Sequence, residues 1–213
     1  MNTAAVRANR RKLLILAAIV LLCAAGYMLV DVNFSNPKLL AYAMKIRTPK
    51  LIVMLITAFS IGGGSLGFQS IINNTIVTSC LLGMNSLYTL IHTAVVFFLG
   101  SSSIIASNAN LSFAVDVVLM GITATIIYSW IFKKTKHNVL YVLLVGTVLT
   151  SFFSSVQTTL TRVMDPNEYD SLLNTLVASF SNVNSEIIVF SLILLAAVIF
   201  ALRKELALLD VLT

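Results

Sequence analysis

Few residues of this sequence have the types and spacing that catalysis or metal binding requires. Cys23 and Cys80 lie far apart, each inside an apolar segment, so neither a disulfide framework nor a metal-ligand spacing is predicted. His92 and His137 are equally isolated, and His92 is interpreted as a packing residue. Asp116 is the one acidic residue inside a predicted membrane span, where it is either a pathway residue or a solvated or hydroxyl-bonded carboxylate. The sequence thus predicts no catalytic residues, no metal site and no cofactor.

A glycine-rich stretch at residues 62–67 has the composition of a phosphate-binding loop. Phe68 and Gln69 follow it where a Lys and a Ser or Thr would be needed, so ATP binding is excluded. Small residues recur there at four-residue spacing, which lets the backbones of two helices approach closely. These residues are Ser60, Gly63, Gly64 and Gly67. Their predicted role is helix packing.

The composition excludes a water-soluble domain. The chain of 213 residues is 58% hydrophobic and 10% charged, with a mean hydropathy of +0.97, whereas soluble domains carry about 25% charged residues. At about 20 apolar residues per crossing, the length allows about six or seven spans. The net charge of +6 comes from 14 Lys and Arg that cluster between apolar stretches. We interpret these clusters as topology signals rather than as a nucleic-acid surface.

Six apolar stretches are long enough to cross a membrane. They are residues 13–30, about 51–72, about 80–99, 113–132, 139 to about 163, and 187–202. The first stretch could instead be a signal peptide, but its uncharged run is longer than a usual signal core, and we favour a span. The predicted fold class is all-α, a polytopic transmembrane helix bundle that forms one permease domain over residues 1–213.

The Lys and Arg count sets the predicted orientation, with the N-terminus in the cytoplasm. Nine basic residues then lie inside and five outside. Four of the outer five crowd into one short connection, against the positive-inside tendency. They are Lys38, Lys45, Arg47 and Lys50. Two interpretations remain open: snorkelling at the interface, or a docking patch for an acidic partner outside the membrane.

The outer segment at residues 164–186 has mixed character. Asp165-Pro166 predicts a helix stop, a turn and a restart, and apolar residues recur at helical spacing between Ser171 and Phe180. This pattern predicts a short helix at the outer mouth, bordering a pathway entrance. A plain interfacial helix is the alternative.

Several of these stretches resemble one family, the iron-chelate uptake (FecCD-type) ABC-transporter permeases, which are relatives of the vitamin B12 permease. Arg47-Thr48-Pro49-Lys50 and the run at residues 62–69 resemble family motifs. The stretch at residues 83–88, and the loop at residues 164–168 with residues 178–184, resemble the siderophore-importing subgroup. The resemblance implies outer-gate or pathway roles for Asn167, Ser179, Phe180, Asn182 and Asn184, and binding-protein docking by Arg47 and Lys50.

The resemblance also implies a function and partners. The expected function is a permease subunit that moves iron(III)-siderophore chelates by alternating access in the bacterial cell membrane, with ATP hydrolysis on a separate ATPase subunit. The other expected partners are an extracytoplasmic siderophore-binding protein, a second permease subunit and membrane lipid. Because family members have about ten spans, we expect this chain to be the N-terminal part of a longer permease. The alternatives are a truncated, non-transporting subunit or scaffold and, from another class, an integral-membrane enzyme.

Overall fold

The computed structural model describes residues 3–32, 36–72, 74–75, 77–135, 138–176, 183 and 185–203. These residues form eight α-helices and one short 3₁₀ helix, with no strand among them, so the all-α prediction is confirmed. In chain order the helices are α1 (Thr3–Leu29), α2 (Pro37–Ile72), the 3₁₀ helix (Ser79–Leu82), α3 (Met84–Leu99), α4 (Ile104–Ser107), α5 (Ala109–Thr135), α6 (Val139–Val163), α7 (Pro166–Leu176) and α8 (Ser185–Ala201).

Each of the six predicted spans falls on a helix. Four helical stretches are long and apolar enough to cross a membrane: Asn9–Leu29, Pro37–Ile72, Ala109–Thr135 and Val139–Val163. The third and sixth predicted spans fall on shorter apolar helices, Met84–Leu99 and Ile187–Ala201. With 16 residues, α3 is about 24 Å long, somewhat less than the hydrocarbon thickness of about 30 Å.

The chain divides into two units, and the first comprises residues 1–55 and 180–183. Here α2 begins at Pro37, so the basic segment at residues 38–50 is helical rather than the short connection that the sequence analysis predicted. Pro37 suits a first helical position, and the Asn36 side chain accepts the backbone N–H of Lys38. With 36 residues, α2 is about 54 Å long, so its basic turns can lie outside the hydrocarbon while remaining helical.

The second unit comprises residues 56–179 and 184–213, and its core lies where α3, α5 and α6 meet the 3₁₀ helix. The buried residues of this core are Ile72, Val77, Leu82, Leu87, Tyr128, Ile131, Val142 and Phe153. The Tyr128 hydroxyl donates to the carbonyl oxygen of Leu82 at 2.7 Å, which ties α5 to the 3₁₀ helix.

A smaller cluster fixes α7 against α3. Leu172 of α7 is fully buried and packs with Val96 of α3 and with Met164. A helix restarts at Pro166, as the Asp165-Pro166 pair predicts, and it ends at Leu176. The helix therefore begins five residues before the predicted apolar repeat, because Asp165 caps it by accepting the backbone N–H of Asn167 at 2.9 Å.

Candidate functional site

A stripe of hydroxyl side chains runs along α6 and is exposed in this chain. It consists of Thr147, Ser151, Ser154, Ser155, Thr158 and Thr159, and it ends at the exposed Arg162. Its members recur every three or four residues, so they share one face over about 22 Å of helix. Between residues 154 and 162 the stripe borders a shallow groove of about 350 Å³.

The hydroxyl protons of this stripe are mostly satisfied by α6 itself. Thr158 donates to the carbonyl oxygen of Ser154 at 2.8 Å, and Thr159 donates to that of Ser155 at 2.9 Å. Ser154 instead donates to the Ser86 hydroxyl of α3 at 3.3 Å. Back-bonded hydroxyls keep their lone pairs free to accept hydrogen bonds from the open side. In a spanning helix, an exposed polar face indicates a partner helix or a water-filled path.

The sequence analysis did not single out this stripe. The signal was present, because Ser and Thr recur at helical spacing from Thr147 to Thr159 within an otherwise apolar run. Hydroxyls carry no charge and do not interrupt the hydropathy of a span. Neither the count of charged residues nor the hydropathy pattern therefore identifies the stripe.

A polar cluster that is buried at His92 and Asp116 and exposed at Thr175 joins three helices of the second unit. His92 Nδ1 of α3 lies 2.6 Å from Asp116 Oδ2 of α5, and His92 Nε2 lies 2.8 Å from Thr175 Oγ1 of α7. His92 and Asp116 are each 4% exposed. The Tyr88 ring stacks on the imidazole, with centroids 6.0 Å apart and an interplanar angle of 18°. His92 is therefore a packing histidine whose two ring nitrogens are satisfied, as the sequence analysis interpreted it, and Asp116 Oδ2 pairs with its imidazole rather than with a hydroxyl.

The cluster contains the residue types of a catalytic triad, with Thr175 as nucleophile, His92 as base and Asp116 as orienting acid, but its geometry does not activate the hydroxyl. Thr175 Oγ1 also lies 2.9 Å from the carbonyl oxygen of Leu172 in its own helix, so the hydroxyl proton has a backbone acceptor. The cluster acts as a contact between helices rather than as an activated nucleophile. Within the described residues, no group of three or more His, Cys, Asp or Glu could hold a metal ion.

In the first unit, Arg47 caps the end of α1. Its Nη1 donates to the carbonyl oxygen of Tyr27 at 2.8 Å and also to that of Val30, and the guanidinium lies 5.9 Å from the centre of the Tyr27 ring. A cation at the carbonyl end of a helix is favourable, since those carbonyls lack partners within the helix. Lys50 is half-buried and Lys45 is exposed. The docking role of Arg47 and Lys50 stays a prediction.

The predicted small-residue face of α2 lines an apolar groove of about 630 Å³ with Leu195, Val198 and Ile199 of α8. A methyl group added at Gly63 or Gly67 would meet nothing within 4 Å among the described residues. Helix packing through this face therefore stays a prediction that needs a partner beyond those residues.

Of the residues assigned to the outer gate, the structure describes Asn167, which is exposed in the first turn of α7. Ser179, Phe180, Asn182 and Asn184 lie outside the described residues.

Long apolar helices, a polar face along one of them and a basic extension of another define a class, the multi-pass helical membrane proteins. The chain belongs to the FecCD transport family, whose sequence model matches residues 13–213.

Two curated relatives support this assignment. The petrobactin import system permease protein YclO of Bacillus subtilis (strain 168) is 31% identical over 180 residues, covering 84% of this chain and 56% of that protein. The petrobactin import system permease protein FatC of Bacillus anthracis is 33% identical over 199 residues, covering 91% of this chain and 56% of that protein. The chain thus spans 56% of the length of each relative.

A solved structure shares the fold. It is described as an inward-facing conformation of a metal-chelate type ABC transporter, and it matches with a TM-score of 0.66 at 21% sequence identity. The match covers 93% of this chain and 63% of the solved one. The transmembrane helix-bundle prediction is confirmed at the level of fold.

Proposed function

We propose that this chain is a membrane-spanning permease subunit of an ABC importer for iron(III)-siderophore chelates. The single observation that carries the proposal is the exposed hydroxyl stripe of α6, because a polar face about 22 Å long inside a span suits a path for a hydrophilic solute. The names of the two curated relatives, both petrobactin import permeases, support a siderophore as the solute.

The chemistry of the stripe fits such a solute. Hydroxyls accept and donate weak, exchangeable hydrogen bonds, so they can hold a polar chelate without trapping it. Arg162 at the end of the stripe supplies a positive charge that attracts anionic oxygen-donor chelates. Because the chelator fills the coordination shell of the iron, transport requires no iron ligands from the protein.

Transport would proceed by alternating access, with ATP hydrolysis on a separate ATPase subunit and no catalysis by this chain. A second permease subunit, identical or paralogous, would complete the path. In the bacterial cell membrane the N-terminus would lie in the cytoplasm and α7 would lie outside, as the positive-inside count suggests.

The path is tested by removing hydroxyls without changing side-chain size. The double variant Thr158→Val and Thr159→Val, made in the complete importer in cells, should lower uptake of radiolabelled ferric siderophore by roughly fivefold to tenfold. The matched control is Thr125→Val on α5, since Thr125 is exposed and back-bonds to Gly121 in the same way but lies outside the stripe. Equal uptake by the double variant and the control, at equal membrane levels, would reject the path.

Docking of the binding protein is a second part of the proposal. Lys50 would bind a carboxylate on the extracytoplasmic siderophore-binding protein. Arg47, whose guanidinium caps α1, would hold the adjacent turn of α2 in place for this docking contact. Lys50→Glu should weaken docking, and the wild-type affinity should fall as salt increases. Lys134→Glu reverses an exposed charge at the predicted cytoplasmic end of α5, outside the basic patch of α2, and serves as the control. Unchanged affinity in Lys50→Glu, measured on the assembled importer, would remove this residue from the docking surface.

A further inference from the structure

We propose that Arg162 makes the groove at the C-terminal end of α6 selective for anionic iron(III) chelates over uncharged ones. Iron(III) held by catecholate or hydroxycarboxylate groups carries a net negative charge, whereas iron(III) held only by hydroxamate groups is uncharged. The inference rests on the proposed function, because the chelate has to pass along the hydroxyl stripe of α6. The charge preference of the groove can itself be measured without transport.

Among the described residues that line this groove, only Arg162 is charged. The groove has a volume of about 350 Å³ and is lined by Ser154, Ser155, Thr158, Thr159 and Arg162. Hydroxyls carry no net charge, so the sign of the electrostatic potential in the groove depends on Arg162. Arg162 follows Thr158 by four residues and Ser155 by seven, so the three side chains share one face of the helix. A chelate bound to these hydroxyls would therefore lie beside the guanidinium.

The guanidinium of Arg162 has no partner in the part of the chain that the structure describes. It is exposed, and none of the described residues forms a hydrogen bond or an ion pair with it. Arg47 is the contrast, because its guanidinium caps α1 and donates to the carbonyl oxygen of Tyr27 at 2.8 Å. The N–H donors of Arg162 are thus available to the anionic oxygens of a chelate, and their planar fork suits paired oxygens.

Arg162 also offsets the negative end of its own helix. It lies in the last turn of α6, where the backbone carbonyls carry a partial negative charge. In the sequence it is the only Lys or Arg between Lys136 and Arg203. Without Arg162, the end of α6 would therefore repel an anionic chelate. The substitution of this one residue should change the sign of the charge preference rather than only its size.

The acidic residues that follow α6 do not line the groove. Asp165 accepts the backbone N–H of Asn167 at 2.9 Å, and Glu168 accepts that of Ser101. Asp170 is exposed on α7. At physiological salt the field of an exposed charge decays over about 8 Å. An anionic chelate would therefore be attracted along the groove and repelled from α7.

The charge preference is tested with thiol reagents of opposite charge. In the complete importer in lipid nanodiscs, with Cys23 and Cys80 replaced by Ala, Thr158→Cys places a thiol in the groove about one turn from Arg162. One methanethiosulfonate reagent carries a sulfonate, and a second carries a trimethylammonium group. The charge ratio is the rate of the anionic reagent divided by that of the cationic one. The reactivity of the thiolate cancels in this ratio.

The charge ratio at position 158 should exceed the ratio for a free thiol in solution. Arg162→Gln should lower it roughly fivefold, because a charge about 6 Å away attracts one reagent and repels the other. Arg162→Lys should retain most of the ratio, since it keeps the charge, and high salt should reduce it. Equal ratios with Arg162 and with Gln at this position would overturn the inference.

A second thiol position separates a local charge effect from a change in packing. Thr147 is exposed at the other end of the stripe, about 22 Å along the helix from Arg162. This distance exceeds the screening length of about 8 Å, so Arg162→Gln should leave the charge ratio of Thr147→Cys unchanged. A change of equal size at both positions would show that Arg162 acts on the packing of α6, and it would overturn the inference.

The preference among chelates is tested by protection of Thr158→Cys from an uncharged maleimide. The two probes are an anionic iron(III) tricatecholate and an uncharged iron(III) trihydroxamate, added without the siderophore-binding protein so that its own preference does not decide which chelate arrives. The tricatecholate should protect at a severalfold lower concentration, and Arg162→Gln should remove most of this difference. Equal protection by the two chelates, or protection by neither, while Arg162 is present would overturn the inference.

The charge measurements and the uptake measurement fail independently. A charge ratio that depends on Arg162, in an importer that takes up no iron(III) chelate, would keep the anion preference of the groove and reject the proposed function. Uptake that depends on the Thr158 and Thr159 hydroxyls, with a charge ratio and a protection difference unaffected by Arg162→Gln, would keep the proposed function and reject the selectivity.

Discussion

Two glycine-containing regions of the second unit differ in a way that the sequence does not reveal. On α2, Gly63 and Gly67 form a regular small-residue pattern, yet a methyl group at either would meet no other described residue within 4 Å. Gly146 on α6 belongs to no such pattern, and a Cβ there would lie 2.7 Å from Leu82 Cδ2 and 2.9 Å from Leu82 Cα. The spacing of small residues identifies a face that allows close approach. Whether the chain supplies the neighbour depends on the tertiary fold.

The largest effect is expected at Gly146. In Gly146→Val the new side chain collides with the backbone of the 3₁₀ helix, which Tyr128 ties to α5, so one element must move. We expect a loss of about 2–3 kcal/mol of folding free energy, seen as a lower midpoint of thermal unfolding in detergent.

Gly121→Val on α5 is the control for this prediction, because a Cβ at Gly121 has no neighbour within 4 Å among the residues that the structure describes. Equal midpoints for the two variants would show that the approach of α6 to the 3₁₀ helix is not tight.

Gly83→Ala should have the next largest effect. Gly83 has φ +82°, which side-chain-bearing residues rarely adopt, and its Cβ would lie 2.6 Å from Thr150 Oγ1 and 3.2 Å from Thr150 Cα. The left-handed conformation alone costs about 1–2 kcal/mol.

Adding Thr150→Ala to Gly83→Ala should restore the part of the stability that the hydroxyl collision removes, while the backbone cost remains. A double variant as stable as Thr150→Ala alone would show that φ at Gly83 carries no cost.

The sequence predicted the elements better than their contacts. The six spans were found because each is a run of apolar residues of nearly membrane length. The helical start of α2 was missed because its lysines resemble a polar connection, and a helix extending beyond the hydrocarbon tolerates them as well as a loop does.

The two candidate sites also differ in how far the sequence predicts them. The hydroxyl stripe of α6 is local, and its helical spacing could have been read from Thr147 to Thr159. The bonds from His92 to Asp116 and Thr175 join residues on three helices, separated by 24 and 83 positions. No local periodicity contains them, because they depend on how α3, α5 and α7 pack.

A smaller effect, confined to assembly, is expected for Gly67→Leu. The groove between α2 and α8 has room for the side chain, so the stability of the chain itself should stay within about 0.5 kcal/mol of wild type. If a partner helix packs through this face, the same side chain should weaken the assembled importer by about 1–3 kcal/mol. Co-purification with the proposed ATPase and second permease measures the assembly, and full recovery of the complex would show that the face contacts lipid.

The smallest effect is expected for Gly67→Ala, which asks the same question with a single methyl group. No atom of the part of the chain that the structure describes lies within 4 Å of this methyl group. The substitution also replaces a helical glycine, which costs up to about 1 kcal/mol relative to alanine. The midpoint of thermal unfolding of the purified chain should therefore stay the same or rise slightly. In the complete importer a partner backbone in contact with Gly67 would reverse that sign, because a methyl group is already too large for such a contact. A gain in the chain with a loss in the complex would identify α2 as an intersubunit contact, whereas gains of equal size in both would place its small-residue face against lipid.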